Sequence, residues 1–251
     1  MNMPSASLVS SPTIDLGLAK GRSISTKIAQ TADLVHPEGS ISPATRATLN
    51  FQYASLRNIN HCPTGMYITP SVESTLVWDA VLFVHKGYYQ DSVLKFTVTF
   101  PNDYPERPPT VRFLTDIFHP LVDPRTGGYS LAPRFRPWRP KEHQIHHILH
   151  FMKSTFKEPT LDKLHEEDVL NKEAFNLATL ENSIHVADSY RDNRTSFATL
   201  AKQSAELSQS PSALYDTSGS KKNHSLRFTP LKPNEVDQVL GVLSVHTEHS
   251  K

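Results

Sequence analysis

Phe100-Pro101-Asn102-Asp103-Tyr104-Pro105-Glu106-Arg107-Pro108-Pro109 is the stretch that decides how this chain is read. Its prolines lack backbone donors and hold φ in a narrow range, so the segment is neither helix nor central strand. It is a stiff connector leaving a strand. That strand is legible just upstream, where Val93, Leu94, Phe96, Val98 and Phe100 are interleaved with Lys95, Thr97 and Thr99. Three landmarks follow in order: His119-Pro120-Leu121, then Gly128-Tyr129-Ser130-Leu131, then Trp138-Arg139-Pro140.

Outward from this stretch, residues 65–70, 76–84 and 110–114 also read as strands. Their connections are short and marked by Gly or Pro, which predicts a four-stranded antiparallel meander. Residues 43–58 read as an N-terminal helix, with Pro43 in its first turn and Leu49, Tyr53 and Leu56 on one face. Residues 141–157 read as a second helix, with a buried stripe of Ile145, Ile148, Leu149, Met152 and Phe156. A third, over 171–190, starts at Asn171, a good N-cap, and continues through Leu177, Leu180 and Ile184. The fold class is α+β.

The chain has 251 residues, 20% charged and 37% hydrophobic, which suits one domain of ordinary size with flexible ends. A formal net charge of +1 implies no bulk attraction to nucleic acid or to anionic membrane. No apolar run approaches the ~20 residues of a membrane span, and nothing resembles a secretory signal. The single cysteine, Cys62, excludes an internal disulfide. The expectation is an intracellular, cytoplasmic protein with no cofactor. Residues 1–42, rich in Ser, Thr, Ala and Pro, read as a disordered tail. A core domain spans 43–190, residues 191–225 read as a polar linker with some helix around 197–207, and 226–251 form a tail segment.

The landmark order resembles the ubiquitin-conjugating enzyme family, over roughly residues 44–180. That family has a strand ending Phe-Pro, a Tyr-Pro-x-x-Pro-Pro loop, His-Pro-Asn, Cys-Leu, and Trp-x-Pro eight residues past the cysteine. Trp138 lies eight residues past Ser130, so the resemblance puts Ser130 at the place of the nucleophilic cysteine and Leu121 at that of the asparagine. It also implies a cis Tyr104–Pro105 bond. Trp78-Asp79-Ala80, Gly87 and Tyr89 match further family positions, with Trp78 and Tyr89 read as packing residues. Phe228-x-Pro230-x-x-Pro233 with a following helix, and Pro124-Arg125-Thr126-Gly127, are similar to the Fused Toes branch of conjugating-enzyme variants.

The chemistry follows from what is missing. A thiolate is both a good nucleophile and a good leaving group, whereas a serine hydroxyl flanked by Tyr129 and Leu131 has no adjacent base. In the family the asparagine stabilises an oxyanion, worth ~3 kcal/mol in comparable sites, and Leu121 cannot donate a hydrogen bond. Glu106 replaces an aromatic that the family uses to contact ubiquitin ligases. His119 reads as a structural turn histidine and Cys62 as a structural thiol. No catalytic residue is therefore expected; Ser130, Leu121 and His119 mark degenerate positions.

His143, His146, His147 and His150 fall opposite the apolar stripe of their helix. A solvated polar face is the plain reading. The i, i+4 pairs also have metal spacing, and histidine titrates near neutral pH, so a metal and a pH-responsive contact stay open beside it. In the tail, Val236, Val239, Leu240 and Leu243 recur at helical spacing and form the candidate partner-binding face. Resemblance to Fused Toes implies a non-catalytic subunit partnered by a Hook-type coiled-coil dynein adaptor and an FHIP-like subunit, linking endosomes or vesicles to dynein, peripheral on endosomes through those partners. The competing reading is a role in ubiquitin chemistry, as an inactive partner of ubiquitin and an active conjugating enzyme or as an unusual conjugating enzyme.

Overall fold

A computed structural model describes residues 41–179, 187–215, 224–232 and 235–236. Helix α1 (Pro43–Ser55) opens the described chain. Ser42 caps it: its Oγ accepts from the Thr45 amide at 3.0 Å, and Pro43 sits where no donor is needed. Ile41 and Ser42, expected in the disordered tail, belong to this packed start, with Ile41 buried. The rest of that tail lies outside the described residues.

The sheet is an antiparallel meander, β1 (Met66–Pro70), β2 (Val77–Phe83), β3 (Val93–Thr99), β4 (Thr110–Phe113) and β5 (Gly128–Tyr129), in sequence order. The expectation was four strands. The fifth is two residues long, too short for a period-2 pattern, and forms because Asp123–Gly128 turns the chain back onto β4. On one face of the sheet Trp78, Ala80, Leu82, Leu94, Phe96 and Val98 are all buried. Trp78 meets Tyr53 edge-on at 5.4 Å and Phe100 at 4.7 Å, which ties α1 to the end of β3.

The proline-rich connector is held at both ends. Tyr104–Pro105 is cis, as the resemblance implied, and Trp138 Nε1 donates to the Pro105 carbonyl at 2.7 Å. Buried Gln52 Oε1 accepts from Tyr104 Oη (2.8 Å) and the Ile145 amide (2.9 Å), so one side chain joins α1, the connector and the next long helix.

Four helices follow the short α2 (Ala132–Phe135): α3 (Ile145–Thr155), α4 (Glu158–Leu161), α5 (Lys172–Thr179) and α6 (Ala187–Ser208), then α7 (Pro211–Leu214). Asn171 caps α5, accepting from the Ala174 amide at 3.0 Å. The helix expected around 197–207 is present within α6, and the surrounding stretch, expected as polar linker, is corrected: the helix runs from Ala187 to Ser208 and is anchored on the core. Phe197 of α6 is fully buried among Tyr88, Tyr89 and Phe118, and Ala201 and Ala205 are buried behind it. Arg194 adds ion pairs to Glu158 and to Asp162 (3.5 Å). The polar composition misled because the buried stripe is one phenylalanine plus alanines and serines; small residues let a helix lie close with little apolar signal. Residues 180–186 and 216–223 lie outside the described chain.

Candidate functional site

Among the described residues, chemistry-bearing side chains gather at the corner holding His119, Leu121 and Ser130, around the histidines of α3, and on the outer face of the sheet.

The corner is a tight hairpin. Val122 bridges Tyr129, the Asp123 amide donates to the Gly128 carbonyl at 2.9 Å, and Ser130 N donates to the Leu121 carbonyl at 2.8 Å. Asp123 Oδ1 accepts from the Arg125 amide at 2.8 Å, which holds this carboxyl below its ordinary range. Gly127 turns the chain with φ +72; a Cβ there would lie 2.2 Å from the Phe113 carbonyl oxygen, so only glycine fits. His119, Leu121 and Ser130, singled out from the sequence, are thus brought together.

Their environments are closed. His119 is fully buried, its Nδ1 accepts from the Leu121 amide at 3.0 Å, and Nε2–H therefore donates to the Thr155 carbonyl at 3.0 Å. Both ring nitrogens are committed, and burial pushes the imidazole down to about 4. Leu121 is fully buried and Ser130 is 9% exposed; Ser130 Oγ faces the Ala132 amide at 3.4 Å. Tyr129 Oη bonds Thr155 Oγ1 at 3.0 Å, and burial raises its phenol well above the ordinary value. No described base reaches the Ser130 hydroxyl. Cys62 sits apart in the turn before β1, its thiol directed at the Met66 carbonyl at 3.4 Å and raised above its ordinary value by burial, the opposite of an activated nucleophile. Glu106 is exposed at the tip of the connector.

The histidine face is corrected. His143 precedes α3 and packs on Phe135 (5.0 Å) and Trp138 (5.1 Å). His147 Nδ1 accepts from the Gln144 amide at 3.2 Å and so caps α3. His146 stacks on His61 with centroids 4.3 Å apart. Only His150 is exposed, bonded through Nε2 to the Asn60 carbonyl at 2.9 Å. Helical period identifies a face but not the loop that folds over it. Burial first, and then the neighbouring histidines, push His146 down to about 4. Among the described residues no group of three or more His, Cys, Asp or Glu is placed to hold a metal ion.

The outer sheet face holds residues that sequence reasoning missed. Asp79 of β2 is 3% exposed. Its Oδ2 accepts from Ser225 Oγ at 2.6 Å and from the Ser225 amide at 2.8 Å, and His224 Nε2 lies 4.0 Å from its Oδ1. Lys95 of β3, also buried, donates to the Leu214 carbonyl at 2.7 Å and lies 5.5 Å from the Phe228 ring. Phe228 meets Phe83 edge-on at 6.2 Å and bridges Tyr215. The clue was available: Asp79 and Lys95 share a strand face and need buried partners. Of the candidate partner-binding residues, Val236 is 37% exposed in a helical turn begun at Lys232; Val239, Leu240 and Leu243 lie outside the described residues.

Comparison with known proteins agrees with this architecture. The ubiquitin-conjugating enzyme family model matches residues 49–187. A crossbronx homolog of Anopheles gambiae is 31% identical over 70% of this chain and 72% of its own length. The AKT-interacting protein of Danio rerio is 41% identical over 41% of this chain, a match that spans only 36% of the fish protein. A ubiquitin-conjugating-enzyme candidate from Plasmodium yoelii shares the fold, with TM-score 0.51 at 19% identity, over 66% of this chain and 95% of that one. With the meander, the proline-rich connector and the His119 hairpin in place, the chain belongs to the ubiquitin-conjugating enzyme family and, within it, to the Fused Toes variants that include the crossbronx and AKT-interacting proteins.

Proposed function

We propose that the protein is a non-catalytic interaction module, built on a ubiquitin-conjugating fold whose reactive corner has become core. The observation that carries this is the state of the corner. A serine stands where the resemblance places the nucleophile, a buried leucine where it places the oxyanion donor, and the nearby histidine has both nitrogens occupied. A hydroxyl without a base, beside a side chain that cannot donate, supports neither charging nor transfer.

The partners follow from the Fused Toes resemblance: a Hook-type coiled-coil dynein adaptor and an FHIP-like subunit, in a complex that links endosomes or vesicles to dynein. The C-terminal segment, in whose sequence Val236, Val239, Leu240 and Leu243 recur at helical spacing, supplies the docking surface, because a short apolar amphipathic segment needs a surface to pack on.

Incubation with ubiquitin, activating enzyme and ATP should leave the protein unmodified. The double change Ser130→Cys with Leu121→Asn should restore charging only poorly. Reductant-sensitive charging of the unmodified protein would overturn the reading. Affinity purification should recover the coiled-coil adaptor stoichiometrically, and Val239→Asp with Leu240→Asp should abolish that capture. Recovery of an active conjugating enzyme instead would move the protein into ubiquitin chemistry.

A further inference from the structure

We propose that Ser225 is a phosphorylation site and that its phosphoryl group unlatches the C-terminal strap, residues 224–232, from the outer face of the sheet. The strap lies only partly buried on the sheet. His224 is buried, Ser225 and Phe228 are half-buried, and Arg227 and residues 229–232 are exposed. The strongest tie is the Asp79 carboxylate, whose Oδ2 takes both the hydroxyl and the amide of Ser225 at 2.6 and 2.8 Å. Bonds to an ionised acceptor are the strong class, and this one joins residues 146 positions apart in the sequence. The shorter of its two bonds depends on the proton on Ser225 Oγ.

Phosphorylation removes that proton and reverses the interaction. A kinase transfers the γ-phosphoryl group of a nucleoside triphosphate to Ser225 Oγ. The new O–P bond replaces the β–γ anhydride bond, the hydroxyl proton leaves to the kinase's base, and the nucleoside diphosphate departs. The product carries a charge near −1.5 to −2 and only acceptor oxygens, set against a carboxylate that is 3% exposed. Two anions cannot share that buried site, and the strap, whose later residues already face solvent, is the part that can leave. The sequence around Ser225 is basic, with Lys221 and Lys222 four and three residues before it and Arg227 two after, the pattern a basophilic serine kinase reads in an extended peptide.

This deepens the preceding reading, since the strap leads directly into the proposed docking segment, but its first readout is independent of any partner. The full chain is treated with ATP and the catalytic subunit of cAMP-dependent protein kinase, the site is mapped by mass spectrometry, and amide hydrogen exchange is followed across 224–232. Phosphate is expected on Ser225, with strap amides exchanging at least tenfold faster. Ser225→Glu, which needs no kinase, should loosen the same amides at least threefold. In Asp79→Asn the phosphoryl group should change exchange less than threefold, because the repelling charge is gone. No phosphate on Ser225 of the folded chain, or strap amides that stay protected or tighten after modification or in Ser225→Glu, would overturn the proposal. If the strap opens and the coiled-coil adaptor stays bound at full strength, the docking reading fails while the latch stands.

Discussion

The His119 corner and the C-terminal strap are both polar, and they are closed in different ways. At the corner most bonds join residues close in sequence: Leu121 N to His119 Nδ1, Ser130 N to the Leu121 carbonyl, Asp123 to Arg125. The hairpin is then sealed by Thr155 of α3, and its side chains sit in the main core. On the outer face the bonds join Asp79, Lys95 and Val93 to residues more than 100 positions away. A corner of local bonds inside a core can open only if the domain unfolds. A strap of a few long-range bonds at the surface can leave while the domain stays folded.

The largest expected effect is at the corner. Leu121→Asn puts an amide into a site of zero exposure, losing apolar contacts and burying a polar group without a prepared partner. Global stability should fall by about 3–5 kcal/mol, read as a shift in the urea midpoint. A loss under about 1 kcal/mol would mean that the corner is not core and would break the contrast.

The second effect is acid sensitivity. His119 has a folded value of about 4 against an ordinary 6.5, so the unfolded chain takes up the proton first. The stabilisation is complete above about pH 6.5 and is lost as pH falls toward 4, about 2 kcal/mol by pH 5 from linkage. His146, also lowered to about 4, acts in the same direction. Urea midpoints at pH 8 and pH 5 check this; a flat profile would show that His119 is not held neutral by burial.

The smallest effect belongs to the strap. Phe228→Ala removes the ring from Phe83 and from the Lys95 ammonium. It should leave global stability within about 1 kcal/mol, as expected for a half-buried surface position, while speeding exchange of the strap amides. A global loss as large as that of Leu121→Asn would show that the strap is part of the cooperative core.

Much of the core fold was legible because its signals are local. Proline chemistry placed the connector, period-2 alternation placed β3, and the Ile145–Phe156 stripe placed α3 to within a few residues of its ends. The landmarks also brought Ser130 beside Leu121 correctly, since the hairpin between them is encoded by Asp123 and Gly127. Sequence alone determined that residue 130 carries no thiol and residue 121 no donor, because side-chain identity settles which bonds can be made at all.

Tertiary structure decided the rest. It lengthened the helix expected around 197–207 and anchored it through Phe197, buried three of the four histidines partly beneath neighbouring segments, and gave Asp79 its partner Ser225. Hydrophobic period reports how much apolar surface a segment must hide, not which distant segment hides it. A buried carboxylate shows in sequence only as a charge on a strand. Its cost is offset by a donor 146 residues away, and only the folded chain brings that donor within 2.6 Å.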